Sequence, residues 1–389
     1  MSDEEARGIA LNYYNPFQVR QPLKVVGQMG LTKAGTSLDG EKENGRNATR
    51  AWRALKQAFA HKLVAVVPMP RPWIDEELGM RMREAFPNLL GVQVVNLHDL
   101  SIKGERERDD KIHEELGHAA AKWIAQGTLF QDGSVIGLGS GRGVYETVRY
   151  LQEFPALNAR NVRVMSLTGW VHAKSHAGIG GGELEADKHA AMIVQCFRHP
   201  TIGTHMVNHP ITHEDPYLRA RILERTHLGR RQWNEIHPGY ALFGVGVLAP
   251  GHRLYEEAKA TKHEPGLRPI LDPLRELVEI GEHVNSISSC CLYYMVADIA
   301  NQLFCVHGHH WDRIDQKTRL RVEELVQEVN ERLLTVSPSQ LQDVGNVILV
   351  AGTECKATAI RHLLHTEQCN IRFLCTDKKT AMKILSLPF

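Results

Sequence analysis

The sequence predicts an α/β fold: a mainly parallel, Rossmann-like sheet preceded by a small N-terminal winged helix-turn-helix. From residue 72 onward, short apolar strands alternate with amphipathic helices, and strands without a polar face indicate a parallel sheet that is covered on both sides. Residues 4–67 contain three short helical patterns and one strand pattern instead. We therefore predict a head at 1–70 and an effector domain at 72–389.

The larger domain is predicted element by element from apolar periodicity and from turn residues. The predicted strands are 92–97, 134–138, 162–168, 203–208, 240–247, 346–351 and 371–376. The predicted helices are 76–86, 110–126, 144–154, 187–197, 217–226, 293–304 and 356–364, with a charged amphipathic surface helix at 318–334.

The head combines helical patterns with positive charge. Residues 1–72 contain eleven Lys/Arg and six Asp/Glu, a net +5, whereas the remaining residues are net −4. The third helical pattern, 48–59, leaves Arg50, Arg53 and Lys56 free to reach solvent. Such a charge distribution is typical of a nucleic-acid-binding head. A chance fluctuation explains the same charge without any function.

Composition limits the class of protein. The sequence is 43% hydrophobic and 23% charged, which is ordinary for a globular protein. No apolar run approaches the roughly 18 residues of a membrane span, and the acidic residues 1–5 do not resemble a signal peptide. We therefore expect a cytoplasmic protein. Seven cysteines without a C-x-x-C pair indicate reduced core thiols.

A glycine-rich segment is the most informative local feature. It consists of Gly137, Leu138, Gly139, Ser140, Gly141, Arg142 and Gly143, directly after a predicted strand and before a helix. Backbone N–H groups and the helix N-terminus favour an anion there. No Gly-Lys-Ser/Thr follows, and the acidic residue of a dinucleotide site is missing, so we predict a small phosphate and no cofactor. A tight turn without ligand is the alternative.

A second glycine cluster, residues 178–182, follows the next predicted strand. Two turns after consecutive parallel strands lie side by side at the carboxyl edge of a sheet, where open α/β folds bind ligands. The two segments together favour one ligand site at that edge. A surface loop without function is the alternative for this second cluster.

Residues 72–389 resemble the sugar-binding effector domain of SorC/DeoR-type transcriptional regulators. The motifs that carry the resemblance lie at 135–151, 167–169, 178–190, 240–246, 296–304, 330–364 and 370–385. The resemblance implies a fold like ribose-5-phosphate isomerase and glucosamine-6-phosphate deaminase, used as a sensor. It also implies an effector phosphate on the 137–143 loop, with Thr168 and Gly169 beside it, and sugar hydroxyls bound by Asp298 and Lys356. Without the resemblance, those two charged residues are more typical of surface charges at helix ends.

The head resembles the DNA-binding domain of the same family more distantly, with 48–59 as the recognition helix. Three departures from the family pattern are visible: an insertion at 33–47, Gly143 in place of a hydroxyl residue, and an interruption at 170–177. The interruption brings in His172, Lys174 and His176, as ligands of an anion or as solvated loop residues.

Three functions remain open on the sequence. The first is a homo-oligomeric, dimeric or tetrameric, transcriptional regulator whose affinity for operator DNA depends on a phosphorylated sugar. The second is a sugar-phosphate isomerase or deaminase, with Glu185, Asp187 or His172 as the base. The third is a stand-alone sensor that has lost DNA binding.

Histidine-rich segments raise the question of a metal. Cys305, His307, His309 and His310 lie close together in sequence. Exposed histidines after a helix end explain the segment as well as zinc ligation does, so we predict no metal site.

Overall fold

A computed structural model describes residues 73–97, 105–126, 129–169, 185–207, 209, 212, 215–250, 252–260, 265–287, 295–307, 311–366 and 368–387. Several predictions fall outside these residues. They are the head at 1–70 with Arg50, Arg53 and Lys56, the insertion at 33–47, the second glycine cluster at 178–182, and the histidine and lysine positions 172, 174, 176, 309 and 310.

The described chain alternates strands and helices, as predicted. The strands are β1 (Trp73–Ile74), β2 (Gly91–Asn96), β3 (Val135–Leu138), β4 (Arg163–Ser166), β5 (Gly203–His205), β6 (Tyr240–Phe243), β7 (Val245–Val247), β8 (Val296–Ile299), β9 (Gln302–Cys305), β10 (Asn346–Val350) and β11 (Ile371–Asp377). The helices are α1 (Glu76–Ala85), α2 (Glu105–Gln126), α3 (Arg142–Leu151), α4 (Ala186–Val194), α5 (Pro216–Arg225), α6 (Arg230–Glu235), α7 (Arg253–Lys259), α8 (Leu271–Ile287), α9 (Gln316–Asn330), α10 (Pro338–Asp343), α11 (Ala357–His365) and α12 (Lys378–Ser386).

The large sheet has eight strands in the order β1-β2-β11-β10-β6-β3-β4-β5. Every neighbouring pair is parallel except β1 with β2 at one edge. This confirms the predicted, mainly parallel sheet. Since β3 and β4 are neighbours, the segments that follow them begin side by side.

Side chains of the central strands alternate between two apolar cores. In β10, Val347 and Leu349 belong to one core, and Ile348 and Val350 belong to the other. Each such side chain stabilises the fold by about 1.5–3 kcal/mol when fully buried. Helices therefore cover both faces, which explains why these strands have no polar side in the sequence.

Strands β7, β8 and β9 form a small antiparallel sheet. Strand β7 begins two residues after β6 of the large sheet ends. The predicted helix at 293–304 is wrong, because residues 296–305 form the β8–β9 hairpin. Its two turn residues, Ala300 and Asn301, have positive φ values of 52° and 63°. That conformation matches a two-residue hairpin turn and cannot continue a helix. The strand predicted at 240–247 is also divided, with β6 in the large sheet and β7 in the small one.

Helix α9 is part of the core. It buries Val322, Leu325, Val326 and Val329 in a third apolar cluster, which also contains Leu303 of β9. The prediction of a surface addition at 318–334 is therefore wrong: this helix covers the small sheet. Its charged residues lie on the opposite side, as expected for an amphipathic helix.

Two further properties of the described residues are the polarity of their helices and the state of their cysteines. No helix among these residues combines the length and the low polarity that crossing a membrane requires. The five cysteines among these residues, Cys196, Cys305, Cys355, Cys369 and Cys375, are free thiols.

Two helix N-caps with the same local sequence pattern differ in burial, and this difference predicts different stabilities. Asp377 caps α12 by accepting from the Thr380 backbone (3.0 Å) and hydroxyl (2.6 Å), and it also accepts from the Thr353 amide (2.8 Å). Asp315 caps α9 through the same two contacts with Thr318, but it is exposed. Asp377→Ala should lower the free energy of unfolding by about 2–4 kcal/mol, because buried donors lose their acceptor.

Asp315→Ala is the matched control and should cost clearly less, since water replaces the lost acceptor. Urea denaturation of both variants measures the difference. Equal losses would contradict the structural role assigned to Asp377.

Candidate functional site

The candidate site lies at the carboxyl edge of the large sheet. Strands β10, β6 and β3 are successive neighbours, so the segments after Val350, Phe243 and Leu138 emerge together. This edge is where open α/β sheets bind ligands. The segment 137–143 spans the end of β3 and the start of α3.

The first two glycines of this segment serve close packing. A Cβ at Gly137 would collide with the Leu167 side chain, and one at Gly139 would lie 2.6 Å from Phe243 Cδ1. The Gly139 amide also donates to the Leu242 carbonyl at 3.0 Å. Both residues therefore shape the loop, and the Gly139 amide is already occupied.

The next three amides are different. Within the described part of the chain, no group accepts a hydrogen bond from the backbone N–H of Ser140, Gly141 or Arg142. Gly141 precedes α3 with a φ of 109°, a conformation that favours glycine. Free N–H groups at a helix N-terminus form an anion-binding arrangement.

Gly143 lies against the neighbouring strand. A Cβ on this residue would be 2.6 Å from the Val350 carbonyl oxygen, so a side chain requires the backbone to shift. The sequence departure at Gly143 therefore coincides with a close approach between α3 and the end of β10. In this structure, there is no room for the hydroxyl side chain that the resemblance leads one to expect.

Asn301 connects the small sheet to this edge. Its side-chain amide donates to the hydroxyl oxygens of Ser140 and Thr168, each at 2.9 Å. Thr168 is completely buried and follows β4, whereas Ser140 follows β3. The Gly169 amide donates to the Leu334 carbonyl at 2.8 Å. Asn301 thus holds the two strand-end segments together; sequence reasoning missed it, although an Asn inside the 296–304 motif was a visible turn signal.

Asp298 and Lys356 share one neighbourhood. Asp298 lies on β8 opposite Gly246, and its carboxylate occupies the space where a Gly246 side chain would be. Lys356 precedes α11 and is only 7% exposed. Burial lowers the pKa of the Lys356 amine, and Cys355 and nearby carboxylates oppose this shift. Those carboxylates belong to Asp109, Asp298 and Asp377.

Two histidines beside Lys356 were not predicted. Burial, followed by the charges of Lys356 and Arg142, lowers the pKa of His113 well below its usual value. Burial and Lys356 lower the pKa of His252 to about 4. The His113 Nδ1 atom is buried, with no hydrogen-bond partner among the described residues. His113 is therefore influenced by the charges of both Arg142, in the 137–143 loop, and Lys356. No local sequence signal marks His113 or His252.

Arg142 is already partly paired. Its guanidinium donates to the Asp110 carboxylate, and its Nε atom lies 3.9 Å from Glu146 Oε1. That Nε atom is buried, and no described group forms a hydrogen bond with it. Arg142 can therefore contribute positive charge to the site, with one donor unused.

Thr353 introduces local strain beside Lys356. Its φ is 78°, a value that β-branched residues rarely adopt. Its amide is held by Asp377, and its hydroxyl lies 2.9 Å from the Cys355 sulfur, which in turn is 3.6 Å from His252 Nε2. Strained backbone conformations persist where the surroundings enforce them, often at functional sites.

The carboxylate of Asp187, a candidate general base, takes part in hydrogen bonds that hold the fold together. Its carboxylate accepts from the Ser166 hydroxyl and from the Val207 amide, the latter at 3.0 Å. Glu185 is the residue that precedes α4. The described residues also contain no group of three or more side chains that could hold a metal ion.

Comparisons with known proteins agree with the fold described above. The family model of the sugar-binding domain matches residues 323–386, which include α11, α12 and Lys356. No curated protein is similar enough in sequence to count as a match. Among solved structures, a transcriptional regulator from Streptococcus pneumoniae TIGR4 has a TM-score of 0.54 and 18% identity, over 80% of this chain and 96% of its own.

Two other solved structures give the same result. The full-length sorbitol operon regulator SorC from Klebsiella pneumoniae has a TM-score of 0.53 and 17% identity, over 99% of both chains. A DeoR family transcriptional regulator from Listeria monocytogenes has a TM-score of 0.51 and 16% identity, over 79% of this chain and 98% of its own. The fold of the described residues is therefore that of the sugar-binding domains of SorC- and DeoR-type regulators, as the sequence motifs predict.

The close approach at Gly143 generates a prediction. Gly143→Ala should lower the free energy of unfolding by about 1–3 kcal/mol, because the new methyl group overlaps a backbone carbonyl in a packed region. The matched control is Gly239→Ala, where the nearest atom would be 4.0 Å away. Thermal denaturation of both variants measures the effect, and equal stability of the two would contradict the described packing of α3 against β10.

Proposed function

We propose that this chain is a transcriptional regulator whose effector domain binds a phosphorylated sugar. The observation that carries the proposal is the set of free amides at Ser140, Gly141 and Arg142, at the N-terminus of α3. Buried Lys356 supports it, because the charges of Lys356 and Arg142 both act on His113. A phosphate supplies acceptors for those amides and negative charge for the helix dipole. It also compensates a lysine that burial destabilises in its charged form.

The sugar portion is proposed to lie between Asp298 and Lys356. A carboxylate accepts hydrogen bonds from vicinal hydroxyls, and an ammonium donates to their oxygens. Asn301 acts as a positioning residue, because its amide fixes Ser140 and Thr168 at the rim. The remaining proposed contacts are the 137–143 loop as a whole, including Gly137, Gly139 and Gly143, and Gly169.

The rest of the chain is assigned by the same proposal. Residues 1–70 form the DNA-binding head, with Arg50, Arg53 and Lys56 near the phosphate backbone, and residues 72–389 form the effector domain. The relatives described above are named as transcriptional regulators, and one of them is a full-length regulator that aligns along 99% of this chain. A cytoplasmic homo-oligomer that contacts paired half-sites on DNA fits such a role.

Regulation is favoured over catalysis because the relatives described above are named as transcriptional regulators. Among the candidate bases, Asp187 has a structural role, since its Oδ1 atom accepts both from the Ser166 hydroxyl and from the Val207 amide. The effector site offers amides, a lysine and a carboxylate, which suffice for binding. Ligand binding then favours one arrangement of the domains and changes DNA affinity.

Sugar phosphates should stabilise the protein through Lys356. At about 100 times its Kd, a bound effector adds about 2.7 kcal/mol of stability, so a thermal-shift screen of sugar phosphates should yield a hit. Lys356→Met should weaken that ligand at least tenfold, because a buried charge-assisted contact is lost. The control is Lys383→Met, an exposed lysine on α12 that should leave the affinity unchanged. Equal affinity of the wild type and Lys356→Met would refute this site.

DNA binding should depend on both salt and effector. We expect the full chain to prefer its own promoter region over random DNA, with affinity that falls steeply as salt increases. Arg50→Ala combined with Arg53→Ala should weaken binding to both DNAs. Fluorescence anisotropy with and without the effector measures the coupling. A protein that binds the effector but shows no promoter preference is a sensor without a DNA-binding role.

A further inference from the structure

Two cavities meet beside the β8–β9 hairpin, apart from the proposed effector site. One has a volume of about 590 Å³ and the other about 250 Å³. Four residues line both, namely Gln302, Cys305, His307 and Pro338. Neither cavity is lined by the 137–143 loop, by Asp298 or by Lys356. The volume of the larger cavity is typical of a small-molecule site.

The walls are mostly apolar, and most of their polar groups already have partners. Leu223, Leu228 and Val326 line the larger cavity. The Arg219 guanidinium, also in this wall, donates to the Leu333 carbonyl at 2.6 and 2.9 Å. These groups shape the cavity but leave little polar capacity for a ligand.

Gln302 differs from the other polar residues of the wall, because it is buried and its side chain has no hydrogen-bond partner among the described residues. It is only 6% exposed. The Gln302 amide is not among the fully buried polar atoms without a partner, so solvent in the cavity reaches it. Because Gln302 lines both cavities, its amide lies where a ligand in either cavity can reach it. An amide offers a donor and an acceptor together.

The adjacent strand edge is closed to another strand. Strand β9 is the edge of the small sheet, and edge strands can pair with an extended peptide. However, the Asn330 side chain accepts from the Leu303 amide (2.9 Å) and donates to the Leu303 carbonyl (2.8 Å). The outward backbone groups of Leu303 are therefore occupied. A small molecule fits the cavity, whereas strand addition does not.

The charged residues of the wall limit the charge of the ligand that the cavity can bind. Glu323 and Glu331 line the larger cavity and outnumber the arginine in its wall, Arg219, so the lining disfavours an anion. Burial and Glu323 raise the pKa of the Cys305 thiol to about 12, so the thiol remains neutral. A sugar phosphate is consequently unsuited to this position.

We propose that the joined cavity is a second small-molecule site, which takes an uncharged ligand with an apolar body and a carboxamide that pairs with Gln302. The carboxamide N–H donates to the Gln302 carbonyl oxygen, and its carbonyl accepts from the Gln302 amino group. The apolar body lies against Leu223, Leu228 and Val326.

The test uses benzamide and cyclohexanecarboxamide as probes on the full chain, with ligand-observed NMR titration and crystal soaking. Gln302→Met keeps the shape of the side chain and removes its amide. It should weaken the probes about tenfold. It should leave the melting temperature without ligand unchanged, because the Gln302 amide forms no hydrogen bond with any described group. Gln327→Met is the matched control: Gln327 lines the same cavity, but its amide donates to Glu331 at 2.8 Å. That variant should bind both probes like the wild type.

Three results would overturn the proposal: no binding of either probe to the wild type, equal binding to Gln302→Met, or a lower melting temperature of Gln302→Met without ligand. Lys356→Met should bind the probes normally. The outcome here is therefore independent of whether the protein senses a sugar phosphate.

Discussion

The arrangement of the site depends on the Asn301 side-chain amide. One nitrogen donates to hydroxyls that follow two different strands, those of Ser140 and Thr168. The donor sits on a hairpin turn with two positive φ values, and the turn is also held by the Thr335 hydroxyl, which donates to the Ala300 carbonyl at 2.5 Å. This contact brings the small sheet, and with it Asp298, to the carboxyl edge of the large sheet.

Close packing and buried charge complete that edge. The absence of a side chain at Gly143 allows α3 to approach the Val350 carbonyl, which keeps the helix N-terminus at the sheet edge. Lys356 is buried among carboxylates that offset part of its desolvation, and burial together with the Lys356 charge holds the pKa of His252 low. An anion entering this neighbourhood meets preformed donors, so little ordering remains to be done on binding.

Periodicity predicted the large sheet well, because strands buried on both faces are apolar throughout and because each helix has one apolar face. It failed at 293–304, where the spacing of apolar residues also fits a helix. What excludes the helix there is the conformation of Ala300 and Asn301, which Ser140, Thr168 and Thr335 stabilise. These partners lie far away in sequence, so no local pattern reveals them.

The sequence by itself determined the α/β class, the glycine-rich turn at the carboxyl edge and, through family resemblance, the choice of Asp298 and Lys356. Only the tertiary structure decided that Asn301, His113 and His252 accompany them, and that Gln302 is buried while its amide forms no hydrogen bond with any described group. The physical reason is that local propensity and apolar periodicity act over a few residues along the chain. Burial and hydrogen-bond partnership depend on groups that approach from separate strands and helices.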